Sequence, residues 1–149
     1  MRVATKALGE IDLDERQRIS FPYGILGFEQ LKDYILFDAA QPPFYWLQSM
    51  DSVETAFVLI EPKIFRPDYS PDVEKEELAE IGIASDEDLL VFAIVTIPED
   101  TRLMTANLQG PVVLNRKTRV ARQCISTNPK WGVRHVILDE MKLVRQGSC

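Results

Sequence analysis

Apolar residues along this chain occur in short continuous runs that polar residues and prolines separate. Four runs contain four to nine residues each, mostly aromatic, β-branched or leucine, and they cover residues 34–37, 44–47, 56–60 and 89–97. Runs of this length and composition are typical of strands and too short for buried helices. Pro98 ends the last run, since proline cannot continue the hydrogen-bond ladder of a central strand.

Further apolar segments bring the predicted number of strands to about ten. These segments cover residues 3–5, 10–13, 19–21, 103–108, 112–115, 120–125 and 134–138. Turns are expected at Ala7-Leu8-Gly9 and at Gln109-Gly110-Pro111. Many short strands at near-regular spacing favour an antiparallel sandwich or barrel. The chain has 149 residues and no evident linker or repeat, so we expect one domain over residues 1–149.

One short helix is predicted near residues 71–81. Ser70 is suited to cap it, Pro71 fits its first position, and Gly82 is a good stop signal. The segment is rich in glutamate, and its apolar stripe is thin. We therefore expect the helix to lie on the surface.

Charge is distributed unevenly along the chain, whose net charge is −6. Residues 61–100 carry 3 basic and 12 acidic side chains, whereas residues 101–149 carry 9 basic and 2 acidic side chains. Such a split is suited to steering a charged partner, but the two blocks can equally neutralise each other across the folded surface. The sequence leaves both interpretations open.

Composition argues against several classes of protein. Two cysteines and one histidine are too few and too scattered for a zinc site, and no cofactor motif is present. No apolar stretch approaches the roughly 18 residues of a membrane helix, and the N-terminus lacks the apolar core of a secretory signal. We therefore expect a cytoplasmic protein that has no bound metal or cofactor and does not contact a membrane.

Direct RNA binding is one alternative function, and it would use the basic residues within positions 116–134. A contiguous basic face with an exposed Trp131 would support it, since nucleic-acid modules combine basic patches with accessible aromatic rings. The acidic pI of 4.8 and the single aromatic residue in the basic third argue against it.

A small hydrolase is the second alternative, and it would use Asp86, Asp88 or His135. These groups would have to meet in one pocket and show perturbed pKa values. The chain contains no GxSxG nucleophile elbow and no glycine-rich phosphate loop, so no catalytic constellation is evident.

The segment Phe65-Arg66-Pro67-Asp68-Tyr69 places two aromatic residues in a predicted loop between Pro62 and Pro71. Tyrosine and arginine are common anchors of protein interfaces. Aromatic rings in a loop can also cover the end of a core, and the sequence leaves both roles open.

Several motifs, taken in order, resemble the FliW flagellar assembly factor family over nearly the whole chain. Each motif alone is weak, and their order and spacing make the match specific. They are Ile19-Ser20-Phe21-Pro22-Tyr23-Gly24-Ile25-Leu26-Gly27-Phe28-Glu29, Pro43-Phe44-Tyr45-Trp46-Leu47-Gln48-Ser49, Ala56-Phe57-Val58, Phe65-Arg66-Pro67-Asp68-Tyr69, Ile94-Val95-Thr96-Ile97-Pro98 and Thr105-Ala106-Asn107-Leu108-Gln109-Gly110-Pro111 with Asn115.

The resemblance implies a compact, barrel-like antiparallel β fold without enzymatic activity. It also implies a partner switch in the cytoplasm. FliW-like proteins bind flagellin before export; once freed, they bind the translational repressor CsrA and relieve its repression of flagellin mRNA, acting away from its RNA-binding surface. The protein is expected to be monomeric when free and to bind no nucleic acid directly.

We assign the partner-binding surface to the aromatic loop and to the acidic helix, because the loop pairs aromatic residues and the helix concentrates charge. An acidic surface would attract a basic RNA-binding protein. The assigned residues are Phe65, Arg66, Asp68, Tyr69, Glu74, Glu76, Glu77 and Glu80. The glycines and prolines of residues 21–28 are interpreted as structural, since they set turn geometry.

Overall fold

A computed structural model describes the backbone of residues 1–147 and the side chains of residues 1–144. Ten strands and two α-helices occur within these residues. The strands are β1 (Arg2–Thr5), β2 (Gly9–Asp12), β3 (Arg18–Ser20), β4 (Asp33–Asp38), β5 (Tyr45–Ser49), β6 (Ala56–Ile60), β7 (Leu89–Thr96), β8 (Thr105–Asn115), β9 (Ala121–Gln123) and β10 (His135–Val136), and the helices are α1 (Lys75–Ala79) and α2 (Ile137–Gly147).

Strands β3 to β8 form an antiparallel meander in which each strand pairs with the next along the chain. β9 pairs with one half of β8 and β10 pairs with the other half. A bridge between Ser20 and Val120 then joins the two ends of the sheet, and Ser20 N donates to Arg119 O at 2.9 Å. The result is a nearly closed, barrel-like sheet, which confirms the predicted mainly β fold.

The interior of the barrel is filled by one apolar residue or more from nearly every strand. Ile19, Tyr34, Leu47, Leu59 and Phe92 are all at most 5% exposed and belong to one packed cluster. These residues alternate with outward-facing neighbours, because successive side chains of a strand point to opposite faces. The short apolar runs of the sequence are continuous because both faces of the sheet are covered.

Three separate layers cover the outside of the barrel. The β1–β2 hairpin packs Val3 against Ile35 and Phe37 of β4. The segment after β6, the loop 128–134 and α2 cover β6, β7 and β8. Residues around α1 cover β8 near β9, where Ile81 and Ile83 meet the buried Cys124.

The turn predicted at Gln109-Gly110-Pro111 is wrong, because β8 continues through it. Residues 108–111 form a bulge opposite the single residue Ala93, since Asn107 pairs with Ile94 and Val112 pairs with Phe92. Asn107 Oδ1 stabilises the bulge by accepting from Gly110 N at 2.9 Å. Pro111 lacks an N–H, but its carbonyl still accepts from Cys124 N at 2.8 Å.

The helix predicted over residues 71–81 exists only as α1, the five residues Lys75–Ala79. Its start is wrong because Asp72 adopts φ +49°, and its carbonyl accepts from Thr127 N at 2.9 Å. α1 ends at Ala79, two residues before the predicted end, although Gly82 does stop the helical segment: it has φ +75°, and Ile83 N donates to Leu78 O at 3.0 Å. Glycine suits this left-handed position at a helix C-terminus.

The strand predicted over residues 134–138 is also largely wrong. Only His135 and Val136 pair with β8, and α2 begins at Ile137. Ile137 is buried in the apolar cluster that covers the outside of β6, β7 and β8, and Met141 packs against this cluster. One face of α2 therefore packs on the sheet. The sequence leaves open whether Gly147-Ser148-Cys149 is native, and Ser148 and Cys149 lie outside the described residues. Within those residues no helix is long and apolar enough to cross a membrane.

Candidate functional site

The 28-residue connection between β6 and β7, residues 61–88, is here called the acidic arm. It carries ten acidic and three basic side chains. It starts at a 3₁₀ turn, Pro62–Ile64, includes α1 and ends at a second 3₁₀ turn, Asp86–Asp88. All eight residues assigned to the partner surface lie on this arm.

Phe65 and Tyr69 attach the arm to the barrel and do not reach its surface. Phe65 is 0% exposed and Tyr69 is 3% exposed. Tyr69 donates its hydroxyl hydrogen to Leu108 O at 2.9 Å, and its ring centroid lies 4.8 Å from that of Trp131. The expectation that these two rings are available to a partner is therefore corrected: both belong to the core.

Arg66 and Asp68 form a charged cluster on the opposite side of the same loop. Arg66 Nε donates to Asp68 Oδ1 at 3.0 Å, and Lys130 Nζ donates to Asp68 Oδ2 at 2.6 Å. The Arg66 guanidinium lies 4.8 Å from the ring centroid of Trp131. Hydrogen bonds from Arg66 and Lys130 hold the pKa of Asp68 well below its usual range.

Glu140 of α2 joins this cluster to the loop 128–134. Its Oε1 accepts from Arg66 and lies 2.9 Å from His135 Nδ1. His135 Nε2 in turn accepts from Gly132 N at 2.8 Å. His135 Nδ1 must therefore carry the ring hydrogen that faces Glu140, and both ring nitrogens have structural partners.

The four assigned glutamates at α1 fall into two pairs. Glu77 and Glu80 contact Arg122 of β9, so these two charges are directed back to the barrel. Glu74 and Glu76 are exposed and form no ion pair among the described side chains. Only the second pair is free to attract a partner by charge.

An open groove of about 580 Å³ lies between the acidic arm and the start of β7. Its floor is apolar and includes residues Leu89–Phe92, and its walls carry charged side chains of both signs. The charged residues are Glu61, Lys63, Asp72, Lys75 and Asp86. Hydrogen bonds from Asn128 and Ser70 lower the pKa of Asp72, so this wall carboxylate stays ionised at neutral pH.

The acidic arm and the basic C-terminal third neutralise each other in part. Lys117 lies 3.3 Å from Asp88, and Arg122 and Lys130 contact other carboxylates of the arm. The two blocks therefore neutralise each other only in part, and steering of a charged partner stays a prediction.

The two alternative functions receive no support from the geometry. Trp131 is 2% exposed and packs beneath Arg66 and Lys130, so it offers no stacking surface to RNA. Asp86 lines the groove, whereas Asp88 pairs with Lys117, and His135 belongs to the Glu140 cluster. The three candidate hydrolase residues thus do not share one pocket. No group of three metal-ligating side chains occurs within residues 1–144.

Two parts of the site were not predicted from the sequence. Glu140 was missed because α2 was not expected, although Ile137, Met141 and Val144 have the spacing of a helix face. The groove was missed because it depends on where β6 stops relative to β7. Pro62, which follows β6 by two residues, was the signal available for that stop.

Comparisons with known proteins all point to one family. A family model described as FliW protein matches residues 2–137. The chain is 43% identical over 141 residues to the flagellar assembly factor FliW of Treponema denticola, which covers 95% of this chain and 96% of the relative. It is 43% identical over 142 residues to the protein of the same name from Leptospira biflexa, covering 94% and 93%.

A solved structure gives the same result for the fold. The crystal structure of a flagellar assembly factor FliW superposes with a TM-score of 0.84 and 34% sequence identity. The match covers 92% of this chain and 96% of the solved chain. Sequence and fold therefore agree over nearly the full length of the chain.

Proposed function

This chain belongs to the FliW family of flagellar assembly factors, and we propose that it is a cytoplasmic, non-enzymatic binding protein for flagellin and for CsrA. Flagellin occupies it before export. When flagellin leaves, the free protein binds CsrA and prevents CsrA from repressing translation of flagellin mRNA. It carries out no reaction; its output is the exchange of one partner for the other.

The observation that carries this proposal is the charge left unpaired on the acidic arm. Lys117, Arg122 and Lys130 neutralise some of the arm's carboxylates, but Glu74 and Glu76 remain exposed beside an apolar groove. A surface of this kind supports binding of a basic protein, since unpaired charge raises the rate of encounter and the groove supplies apolar area. Arg66 and Asp68 are proposed to hold the loop beside this surface.

Mutual exclusion of the two partners follows if they share the groove or act on linked sites. In either case the reduction in affinity must be reciprocal: flagellin weakens CsrA binding by the same factor as CsrA weakens flagellin binding. The factor by which each partner weakens the binding of the other can be measured separately, and the two factors must agree.

The experiment is a three-component competition followed by calorimetry. The protein is titrated with CsrA of the source organism and then with its flagellin. We expect CsrA to bind and flagellin to displace it. Binding of flagellin without binding of CsrA would reduce the function to that of a chaperone. Binding of neither partner would reject the proposal.

Glu76→Lys tests the role of the arm. Reversing one exposed charge at roughly 8 Å from a basic partner changes the interaction by about 1 kcal/mol in water, or about fivefold in affinity for CsrA. The effect should be larger at low salt, where screening is weaker. Glu54→Lys makes the same charge change on an exposed turn between β5 and β6 and serves as the matched control. Equal affinities of the two variants at every salt concentration would remove α1 from the interface.

Glu77 is unsuited to the same test. It is half-buried, and one of its carboxylate oxygens lies 3.8 Å from Arg122. Glu77→Lys would place two cations together and would destabilise the arm itself, whatever the arm binds.

A further inference from the structure

The first half of β7 has one bare edge, which the hydrogen-bond alternation of its neighbour β8 identifies. Cys124 N donates to Pro111 O at 2.8 Å, and Asn115 N donates to Val120 O at 2.8 Å. The N–H and C=O of one residue in an antiparallel strand point the same way, and the direction alternates along the strand. Odd-numbered residues of this half of β8 therefore face β9, and even-numbered residues face β7.

The alternation carries over to β7. Leu90 lies opposite Leu114, and Phe92 lies opposite Val112, so these two β7 residues exchange hydrogen bonds with β8. Val91 lies between them and must direct its N–H and C=O to the other side. That side is the floor of the groove, which Val91 lines.

Pro62 explains why no strand among residues 1–147 covers that edge. β6 pairs with β7 up to Ile60, which lies opposite Ala93, so the residue opposite Val91 would be residue 62. Pro62 has no N–H to offer, and it begins a 3₁₀ turn that carries the chain away. Outside the regular ladders, the backbone hydrogen bonds described for residues 1–147 include none to the N–H or C=O of Val91, and the register places Val91 opposite Val113 as a non-bonded pair. A strand position is thus vacant beside an apolar floor.

We propose that this groove binds an extended segment of flagellin, which adds to the free edge of β7 and exchanges main-chain hydrogen bonds with Val91. The identity of the partner rests on the proposed function. Addition of a strand to an exposed edge is an established way of recognising a peptide, and it is used by chaperones of filament subunits. The segment runs antiparallel to β7, in the direction that β6 would have continued.

The charges around the groove define the chemistry of this segment and argue against a second copy of the chain. Two copies joined at β7 would bring together two acidic arms, each with ten acidic and three basic side chains. The groove walls carry three carboxylates and two ammonium groups. A segment that is apolar opposite Val91 and carries a basic residue near Asp72 or Asp86 complements both floor and walls.

Amide hydrogen exchange at Val91, measured by NMR on the full chain, tests the proposal. In the free protein we expect the Val91 amide to exchange faster than the Leu90 amide, because only Leu90 is bonded to β8. Saturating flagellin should slow exchange at Val91 by about tenfold or more. The amide of Glu54, on an exposed turn far along the chain from β7, should not change.

A pair of variants tests the same hydrogen bond through affinity. Val91→Pro removes the N–H that faces the groove, while Val91→Ala shortens the side chain and keeps the N–H. We expect Val91→Pro to bind flagellin about tenfold more weakly than Val91→Ala, since the flagellin carbonyl is left without a donor. The exchange measurement uses the wild-type chain and so still decides the matter if Val91→Pro fails to fold.

Each outcome either supports or overturns the inference. Protection of Val91 by flagellin supports it. Binding of flagellin with unchanged exchange at Val91 would mean a helical segment or another surface, and would overturn it while leaving the proposed function intact. Protection of Val91 by CsrA but not by flagellin would overturn the choice of occupant. Failure to bind flagellin at all would overturn both.

Discussion

Gly24 packs closely against the backbone of Glu29 in the loop that joins β3 and β4, which makes Gly24→Ala a sharp test of the role given to residues 21–28. Gly24 has φ +69°, and its N–H donates to Phe21 O at 2.9 Å. A Cβ added here would lie 2.4 Å from Glu29 Cα and 2.6 Å from Glu29 O. Carbon atoms in contact normally stay about 3.5–4.0 Å apart, so the overlap exceeds 1 Å and involves backbone.

The expected loss of stability has two parts. A Cβ in the left-handed region costs about 1–2 kcal/mol. Forcing one extra carbon into a filled site costs typically about 1–3 kcal/mol more, because rigid backbone has to move. Gly24→Ala should therefore lower the free energy of unfolding by about 2–5 kcal/mol, a large fraction of the total stability of a domain of this size.

Gly9 and Gly27 provide matched controls. They have φ +68° and +89°, and a Cβ at either position meets no atom within 4 Å. Gly9→Ala and Gly27→Ala should cost only the conformational part, about 1–2 kcal/mol. The difference in unfolding free energy between Gly24→Ala and these two controls measures the cost of the contact with Glu29, separately from the cost of the backbone conformation.

Urea unfolding followed by tryptophan fluorescence measures these differences. With m values of about 1–3 kcal/mol/M, Gly24→Ala should unfold at a midpoint about 1 M lower than either control. Equal midpoints for all three variants would refute the argument. Residues 21–28 would then have no steric reason for glycine at position 24, and a binding role for this loop would have to be considered instead.

Three further predictions concern single side chains. Glu140→Gln should lower the free energy of unfolding, measured by urea titration, by about 1–3 kcal/mol, because it removes one partner from a largely buried ion pair. Asp100→Asn breaks an exposed ion pair and should change the free energy of unfolding by less than about 1 kcal/mol. The pKa of Asp68 is lowered in the folded state, so its contribution to stability is present above the ordinary pKa of 3.8 and is lost as pH falls below that value. In the Asp68→Asn variant the melting temperature should therefore depend less on pH below 3.8 than in the wild type. The same pH dependence in both proteins would contradict the assignment. Burial raises the pKa of the Cys124 thiol to about 12. In a Cys149→Ser variant, Cys124 should therefore react with a disulfide reagent at pH 8 only when the protein unfolds. Rapid reaction of the folded protein would contradict the burial of Cys124.

The strands were predictable where the local pattern and the tertiary structure agree. β6 spans Ala56–Ile60, the same residues as its apolar run, because that run is bounded by polar residues on both sides. The turn expected at Gln109-Gly110-Pro111 is wrong because these residues belong to a bulge that Asn107 stabilises from within the same strand. Glycine and proline signal a break in the ladder, but they do not say whether the chain reverses.

The helix boundaries failed for a tertiary reason. Ser70 and Pro71 have the local signals of a helix start, but two hydrogen bonds from Thr127 to Asp72 O hold the segment in another conformation. Residue 127 is 55 positions away in the sequence, so no local pattern contains this information. Propensity is a weak prior that such contacts override.

The candidate site was predictable in position but not in detail. The acidic block and the aromatic loop located the arm, yet composition could not separate core residues from surface residues. Phe65 and Tyr69 are buried, whereas Arg66, between them along the chain, stays half-buried beside Trp131. Which face of an irregular loop turns inward depends on the surface beneath it, and here that surface is formed by strands from later in the sequence.

The bridge that joins Ser20 to Val120 has a consequence for how the chain folds as it is synthesised. Strands β3 to β6 pair with their sequence neighbours and can form as soon as residue 60 has left the ribosome, whereas the seam needs residue 120. Contacts of such long separation form late, because a long loop must be closed first. Until β9 arrives, the free edge of β3 and the apolar face that holds Ile19 and Phe21 have no cover from this side. The interval between the emergence of β6 and of β9 is therefore the stage at which the nascent protein is most prone to aggregate and has most need of a general chaperone.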